Sequence, residues 1–373
     1  MKINTVLIKL HRWLGFPLGV LFIVTLLTGI LTGLDDYLTL IDDYDQEYVA
    51  LSNTEIANAI SVLTARHTSL RQLVMPKESV PYFKVRMRGE SYIYAIEDLA
   101  LLAHQVSDRN GFWSYILRWH RHYNLGRTEH LGLRGAEWVA WVGLLAAFIS
   151  LLGLYLWWPH KRTFKVKRLV PTNNKISSYY FAHLSSGVVT LVVILVFTLT
   201  GAAITYRSIA KQLLLPSATS QAVEVKGYLS PNWLSAVELA SLSFPDGELT
   251  SIYPPSSRTP MPGSVYTFNF VTSGDWLGYP GSKVQIDPSN GFHYGAQAFT
   301  DKSLTQQLYQ MIKPLHTGLS LTPSYLFFML ILMTLSLMMT LSGVISFVRK
   351  KSKYEKKIKM LLVNTLPITV KGV

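Results

Sequence analysis

Residues 11–34 read HRWLGFPLGVLFIVTLLTGILTGL. After His11-Arg12 no charged residue appears through Leu34. A bilayer is crossed by roughly 20 apolar residues in a helix. The stretch 13–34 therefore reads as a span. Three more stretches meet the same test, at 136–158, 184–206 and 324–348. The whole chain agrees: 49% of its 373 residues are hydrophobic and only 15% are charged, against ~25% charged in soluble proteins. The first span has a basic flank like a signal peptide, but its apolar run is too long and no A-x-A site follows, so it reads as a retained anchor.

Charge placement orients the four spans. The net charge is +13. Residues 1–12 hold 3 Lys/Arg and no acid, 159–182 hold 6 and none, and 349–373 hold 8 with one acid, Glu355. The long segments 35–135 and 207–323 are close to neutral. All the excess positive charge thus falls on one side, which the positive-inside rule makes cytoplasmic. That reading excludes nucleic acid as the partner and implies a lipid bilayer instead. The expected plan is a cytoplasmic N-terminus and first span (1–34), an extracytoplasmic module (35–135), the second span (136–158) and a basic cytoplasmic loop (159–183). The third span (184–206), a second extracytoplasmic module (207–323), the fourth span (324–348) and a basic cytoplasmic tail (349–373) complete it. The chain has no cysteine, which excludes disulfides, thiolate metal sites and covalently attached haem.

The sequence repeats itself. His11-Arg12-Trp13-Leu14-Gly15 opens span one, and His183-Leu184-Ser185-Ser186-Gly187 opens span three. Seventeen residues after each histidine stands a Thr-Gly pair, Thr28-Gly29 and Thr200-Gly201. His120 precedes span two, which ends near Gly153-Leu154-Tyr155. His316 precedes span four, which ends near Gly343-Val344-Ile345. The chain reads as two copies of span–module–span, and duplicated membrane proteins often place function where the repeats meet.

Each module reads as α+β. Ser52-Asn53-Thr54-Glu55 resembles a helix N-cap, with Ile56, Ala59, Ile60 and Leu63 as an apolar stripe. Tyr82 to Met87 and Tyr92 to Ile96 alternate like strands around a turn at Gly89-Glu90. In the second module Trp233, Val237 and Leu239 suggest a helix, and Val265 to Phe270 and Lys283 to Ile286 suggest strands. Turns are expected at Asp108-Arg109-Asn110-Gly111 and Asp287-Pro288-Ser289-Asn290-Gly291. Neither module carries a nucleophile elbow, phosphate loop or zinc-protease motif.

Ionisable residues at spans are functional candidates by default. His11 and His183 lie at one membrane edge, and His120 and His316 at the other. Two facing imidazoles on neighbouring helices can clamp one haem iron. Arg12 beside His11, and Arg118 and Arg121 around His120, suit either haem propionates or lipid headgroups. His122 and His130 compete with His120. His67, His104 and His293 read as surface residues, and His160 as a boundary residue. Dense aromatics such as Trp13, Trp113 and Trp119 fit an interfacial belt.

These residues resemble the PepSY-associated membrane proteins, also called iron-regulated membrane proteins, which include ferric-siderophore reductases. The likeness runs from His11 to about Arg349. It rests on His11-Arg12-Trp13-Leu14-Gly15 with Thr28-Gly29, His120 with Leu125-Gly126, His183 with Gly187 and Thr200-Gly201, and Leu315-His316-Thr317-Gly318. Val284-Gln285-Ile286-Asp287-Pro288 with Gly291 resembles the end of a PepSY domain. The first module departs from that pattern, with Asp108-Arg109 in place of Asp-Pro.

The resemblance implies a four-span helical membrane fold with two extracytoplasmic α+β modules. It further implies two bis-histidine b-type haems, one held by His11 and His183, the other by His120 and His316, with Arg12 and Arg121 nearby. The implied activity is transmembrane oxidoreduction: electrons from a cytoplasmic or quinol donor reduce a ferric siderophore in the periplasm, from the bacterial inner membrane. The lack of a Gly-rich dinucleotide fingerprint makes the donor a separate molecule. Two other readings stand beside it: a non-enzymatic PepSY protein that regulates peptidases, and a transporter. Glu137 alone among acids lies in a span, which weakens the transporter reading.

Overall fold

The computed structural model describes residues 3–40, 44, 46–106, 111–215, 231–255 and 265–365. In chain order come α1 (Ile3–Leu40), α2 (Asn53–Arg66), β1 (Gln72–Val74), β2 (Phe83–Arg86), β3 (Glu90–Tyr94) and β4 (Leu101–Val106). There follow α3 (Phe112–His122), β5 (Glu129–His130), β6 (Leu133–Arg134), α4 (Gly135–Trp157), α5 (Ile176–Thr205) and α6 (Arg207–Leu214). The second half closes with α7 (Trp233–Ser243), β7 (Glu248–Tyr253), β8 (Tyr266–Val271), β9 (Ser282–Asp287), β10 (Phe292–Gln297), α8 (Leu304–Thr317) and α9 (Pro323–Thr365). The chain divides into two units, one of residues 1–32, 116–205 and 328–373, the other of 33–115 and 206–327.

The first unit is a bundle of α1, α4, α5 and α9. These are the four helices long and apolar enough to cross a membrane, and the chain is a helical membrane protein. Three run well beyond their expected apolar stretches, α1 starting at Ile3, α5 at Ile176 and α9 reaching Thr365, while α4 matches its stretch to within one residue. His11 and His183 therefore sit about two turns inside their helices rather than at the ends. Phe22 and Leu26 of α1, Val142 and Ala146 of α4, Ile194 of α5 and Met339 of α9 form the bundle core. Small residues bring the backbones close, as lipid supplies no hydrophobic drive between helices. A Cβ on Gly19 of α1 would lie 3.2 Å from Val344 of α9, and one on Gly143 of α4 would lie 3.6 Å from Thr198 of α5. Buried Thr190, Thr198 and Thr340 donate their hydroxyls to carbonyls four residues back, which satisfies these three groups.

The second unit is built on one eight-stranded antiparallel sheet, in the order β10-β9-β8-β7-β1-β2-β3-β4. The two expected modules are not separate bodies: β1 of the first half pairs with β7 of the second, Leu73 opposite Ile252. Both module helices cover the same face. Ile60 and Leu63 of α2 and Ala236 and Val237 of α7 pack on Leu73, Phe83, Val85, Ile252, Phe268 and Ile286. The Ser52 capping box forms as its sequence suggests, with Glu55 returning to the Ser52 N–H at 2.8 Å. The Asp287–Gly291 turn closes on Gly291 at φ 69°, a conformation that favours glycine. The turn expected at 108–111 falls largely outside the described residues.

Candidate functional site

In the first unit, His11 of α1 and His183 of α5 face each other with ring centroids 6.2 Å apart and planes 55° apart. Both rings are only part-buried. Their environments repeat. His183 Nδ1 lies 3.0 Å from the Met339 carbonyl of α9, and a Cβ on Gly343, one turn further along α9, would lie 2.7 Å from that same nitrogen. The His11 ring nests over Gly153 of α4, where a Cβ would lie 3.0 Å from Cε1. Its Nδ1 is buried beside the Ile149 carbonyl, again one turn before the glycine, without closing a hydrogen bond of good geometry.

His120 of α3 makes a third such contact. Its Nδ1 is 3.2 Å from the Thr25 carbonyl and 3.3 Å from Thr28 Oγ1, and a Cβ on Gly29 would lie 3.0 Å from its Cε1. In all three cases the imidazole's Nδ1–Cε1 edge rests on a helix where a glycine, four residues after a carbonyl, removes the side chain that would cover that carbonyl. A carbonyl only accepts, so the Nδ1 atoms of His183 and His120 donate and the lone pair sits on Nε2. That is the tautomer of a metal-ligating histidine with its outer nitrogen tied to backbone.

The geometry of the pair suits a clamped haem. Two imidazoles bonded at ~2 Å through Nε2 to opposite sides of one metal ion hold their centroids about 6 Å apart. The observed separation fits. So does the glycine cradle. Trp157, one turn beyond Gly153 on the same face of α4, presents a buried Nε1–H with no partner, a donor suited to an anionic cofactor edge. Among the described residues no group of three or more His, Cys, Asp or Glu gathers as a metal site; a clamped haem asks for only two histidines.

The other expected residues fall as follows. Arg12 is exposed, with its guanidinium 5.6 Å from the Phe347 ring. Arg121 is exposed on α3. Burial, and behind it the nearby Arg121, holds both His120 and His122 below the ordinary imidazole value, which favours the neutral, ligating form. His122 Nδ1 is buried without a hydrogen-bond partner, and its carbonyl lies against Gly135. His130 is exposed, its carbonyl accepting from Trp138 Nε1 at 3.0 Å. His316 lies on α8, in the second unit. His11 and His183 are therefore brought together and His120 is docked in the manner of that pair.

Sequence reading missed Gly153, Gly343, Met339 and Trp157 as site residues. The two glycines carried a signal, since each stands at the same place in its copy of the repeat.

A family model described as "PepSY-associated TM region" matches residues 8–350 of the chain. No curated protein matches it.

Proposed function

The chain belongs to the PepSY-associated TM-region family, and on that premise we propose that it is an inner-membrane di-haem b electron conduit that reduces ferric siderophores on the periplasmic side. The observation that carries the reading is the His11–His183 pair at 6.2 Å, with His183 Nδ1 tied to the Met339 carbonyl and His11 Nδ1 buried beside that of Ile149. His11 and His183 hold one haem. His120 and His316 hold the second, an assignment taken from the resemblance. His120 is preferred over His122 for its Thr25 contact. Haem, when bound, supplies one-electron redox chemistry at each site.

The chain's own residues hold and tune. The Met339 carbonyl makes His183 a more basic ligand by drawing on its Nδ1 proton. Ser342 donates to the same carbonyl at 2.8 Å, which fixes its direction. Trp157 Nε1–H and the Arg12 guanidinium offer donors to propionates. Gly29 lies 18 positions after His11 on α1, ~27 Å along a helix, so His11 and the His120 contact stand a hydrocarbon thickness apart. Fe(II) prefers softer ligands than Fe(III), and reduction loosens iron from hard oxygen chelators. With the basic segments on the cytoplasmic side, both termini are cytoplasmic and the sheet unit is periplasmic. The electron donor is a cytoplasmic protein or a quinol.

Anaerobic stopped flow tests the activity. The dithionite-reduced protein is mixed with a ferric siderophore, and reoxidation well above the rate in buffer is expected. Reoxidation no faster than buffer removes the reductase reading.

A further inference from the structure

The face of the eight-stranded sheet turned away from α2 and α7 has its own chemistry. Strand alternation sends Phe268 and Phe270 into the core and Asn269 to the opposite face. Cross-strand register then places Val74, Ser251, Asn269 and Lys283 in one row. Gln72 sits opposite Arg86, and Tyr253, Thr267 and Gln285 make a second row beside the first. Among the described residues of these rows there is no carboxylate. Arg86 is held by a neutral amide, Gln72 Oε1 at 3.2 Å, and its charge acts on the Tyr253 phenol. Tyr279, packed on Phe299, lies close enough to feel both the Tyr253 phenol and the Asp275 carboxylate. Lys283 is part-buried and faces another cation, Lys302. The Asp275 carboxylate of that quarter is already taken by the Thr272 N–H and the Ser282 hydroxyl.

Asn269 makes the face more than a charged surface. It is 8% exposed, and its Oδ1 is buried without a hydrogen-bond partner. A buried amide oxygen without a partner is costly to leave unmet, so an arriving donor is favoured. The aromatic and apolar clusters around Ile93 with Tyr82 and around Phe299 with Met311 close the face at either end. Between β1 and β9 three strand spacings leave ~14 Å.

We propose that this face, through Arg86, Tyr253, Asn269, Tyr279 and Lys283, binds a small, multiply anionic, oxygen-rich chelate that also carries amide N–H donors. The two cations pair with its anionic oxygens, the tyrosine hydroxyls donate to the same oxygens, and Asn269 accepts from an amide. The proposal rests on the reductase reading for its iron. It assigns the substrate class: catecholate-type ferric complexes bearing net negative charge, in preference to neutral hydroxamate ones.

The test is titration calorimetry on the full-length protein in detergent. The probe is the gallium(III) complex of an amide-linked tris-catechol, which binds like the ferric complex but accepts no electron. Wild type is expected to bind it, more weakly as salt rises. Arg86→Gln and Lys283→Gln should each weaken binding about tenfold, and Asn269→Ala should weaken it at unchanged thermal unfolding. The proposal is overturned if wild type does not bind, if both charge variants bind as wild type does, or if orthophosphate or a neutral gallium trihydroxamate binds equally well. A second copy of the chain or one of its own segments covering the face would also overturn it, seen as binding that depends on protein concentration or is absent at every ligand concentration. The outcomes separate from the conduit: a haem-loaded chain that ignores the gallium complex sinks only this assignment. A haem-free chain that binds it sinks only the conduit.

Discussion

Gly343→Ala is the sharpest perturbation the bundle offers. A methyl at 343 would sit 2.7 Å from His183 Nδ1, 2.9 Å from Cε1 and 3.4 Å from Cγ. Contacts below 3.0 Å are not tolerated, so the imidazole must move. It cannot keep its 3.0 Å bond to the Met339 carbonyl while doing so. Overpacking costs about 1–3 kcal/mol, and the lost hydrogen bond about 1 kcal/mol more. Spread over ligation, that is at least tenfold in retention of a metal held by His183. Gly153→Ala meets His11 Cε1 at 3.0 Å and should be milder. Gly187→Ala, on the same helix as His183, meets only Met339 Cγ at 3.9 Å and serves as the silent control. The assay is haem stoichiometry by pyridine haemochrome, joined to redox titration and low-spin electron paramagnetic resonance. The expected order of damage to one haem is Gly343→Ala, then Gly153→Ala, then Gly187→Ala. Any haem that survives at Gly343→Ala should show a raised potential, because a ligand without its Nδ1–H···O bond is less basic. Wild-type haem content, potential and spectrum in Gly343→Ala would refute the reasoning about His183.

Further outcomes follow from the same structure. His120→Ala should remove one haem and His122→Ala none, read by haemochrome; loss in His122→Ala would transfer the ligand role. Leu73→Ala, at a fully buried β1 position, should cost about 2–5 kcal/mol and raise hydrogen exchange in β8 and β9 as well as β2, because one sheet joins both halves; exchange confined to β2 would contradict a shared core. Burial, with Lys283 alongside, holds buried Lys302 at about 8 against an ordinary 10.5. In the window between those values the unfolded chain binds the extra proton, so the wild type gains stability as pH rises from 8 toward 10.5, by roughly 3 kcal/mol. Lys302→Met should lack that rise in thermal unfolding scans.

The spans were legible because a bilayer imposes a length and an apolarity that few other environments demand. Their true ends were not, since α1 and α5 begin in polar residues such as Asn4 and Ser177 that hydropathy discounts. His11 and His183 were legible through the repeated offset to Thr28-Gly29 and Thr200-Gly201. The glycine contacts were not, because the value of a missing Cβ appears only once its partner is in place: Gly343 means nothing until His183 sits over it. Helix α3 was missed for a similar reason. Its aromatic-rich run from Phe112 to His122 reads equally as an interfacial belt. The joining of the two modules hangs on β1, three residues without visible alternation whose partner lies about 180 residues away. Local pattern holds no signal for such a pairing.

One absorption experiment bears most directly on the conduit. Detergent-purified protein, expressed with ample haem, is scanned oxidised and dithionite-reduced, with a haemochrome count, beside His183→Ala. The account predicts close to two b-type haems per chain with low-spin six-coordinate bands, and loss of one in the variant. A folded, haem-free wild type, or a His183→Ala variant that keeps its full haem complement, would contradict it.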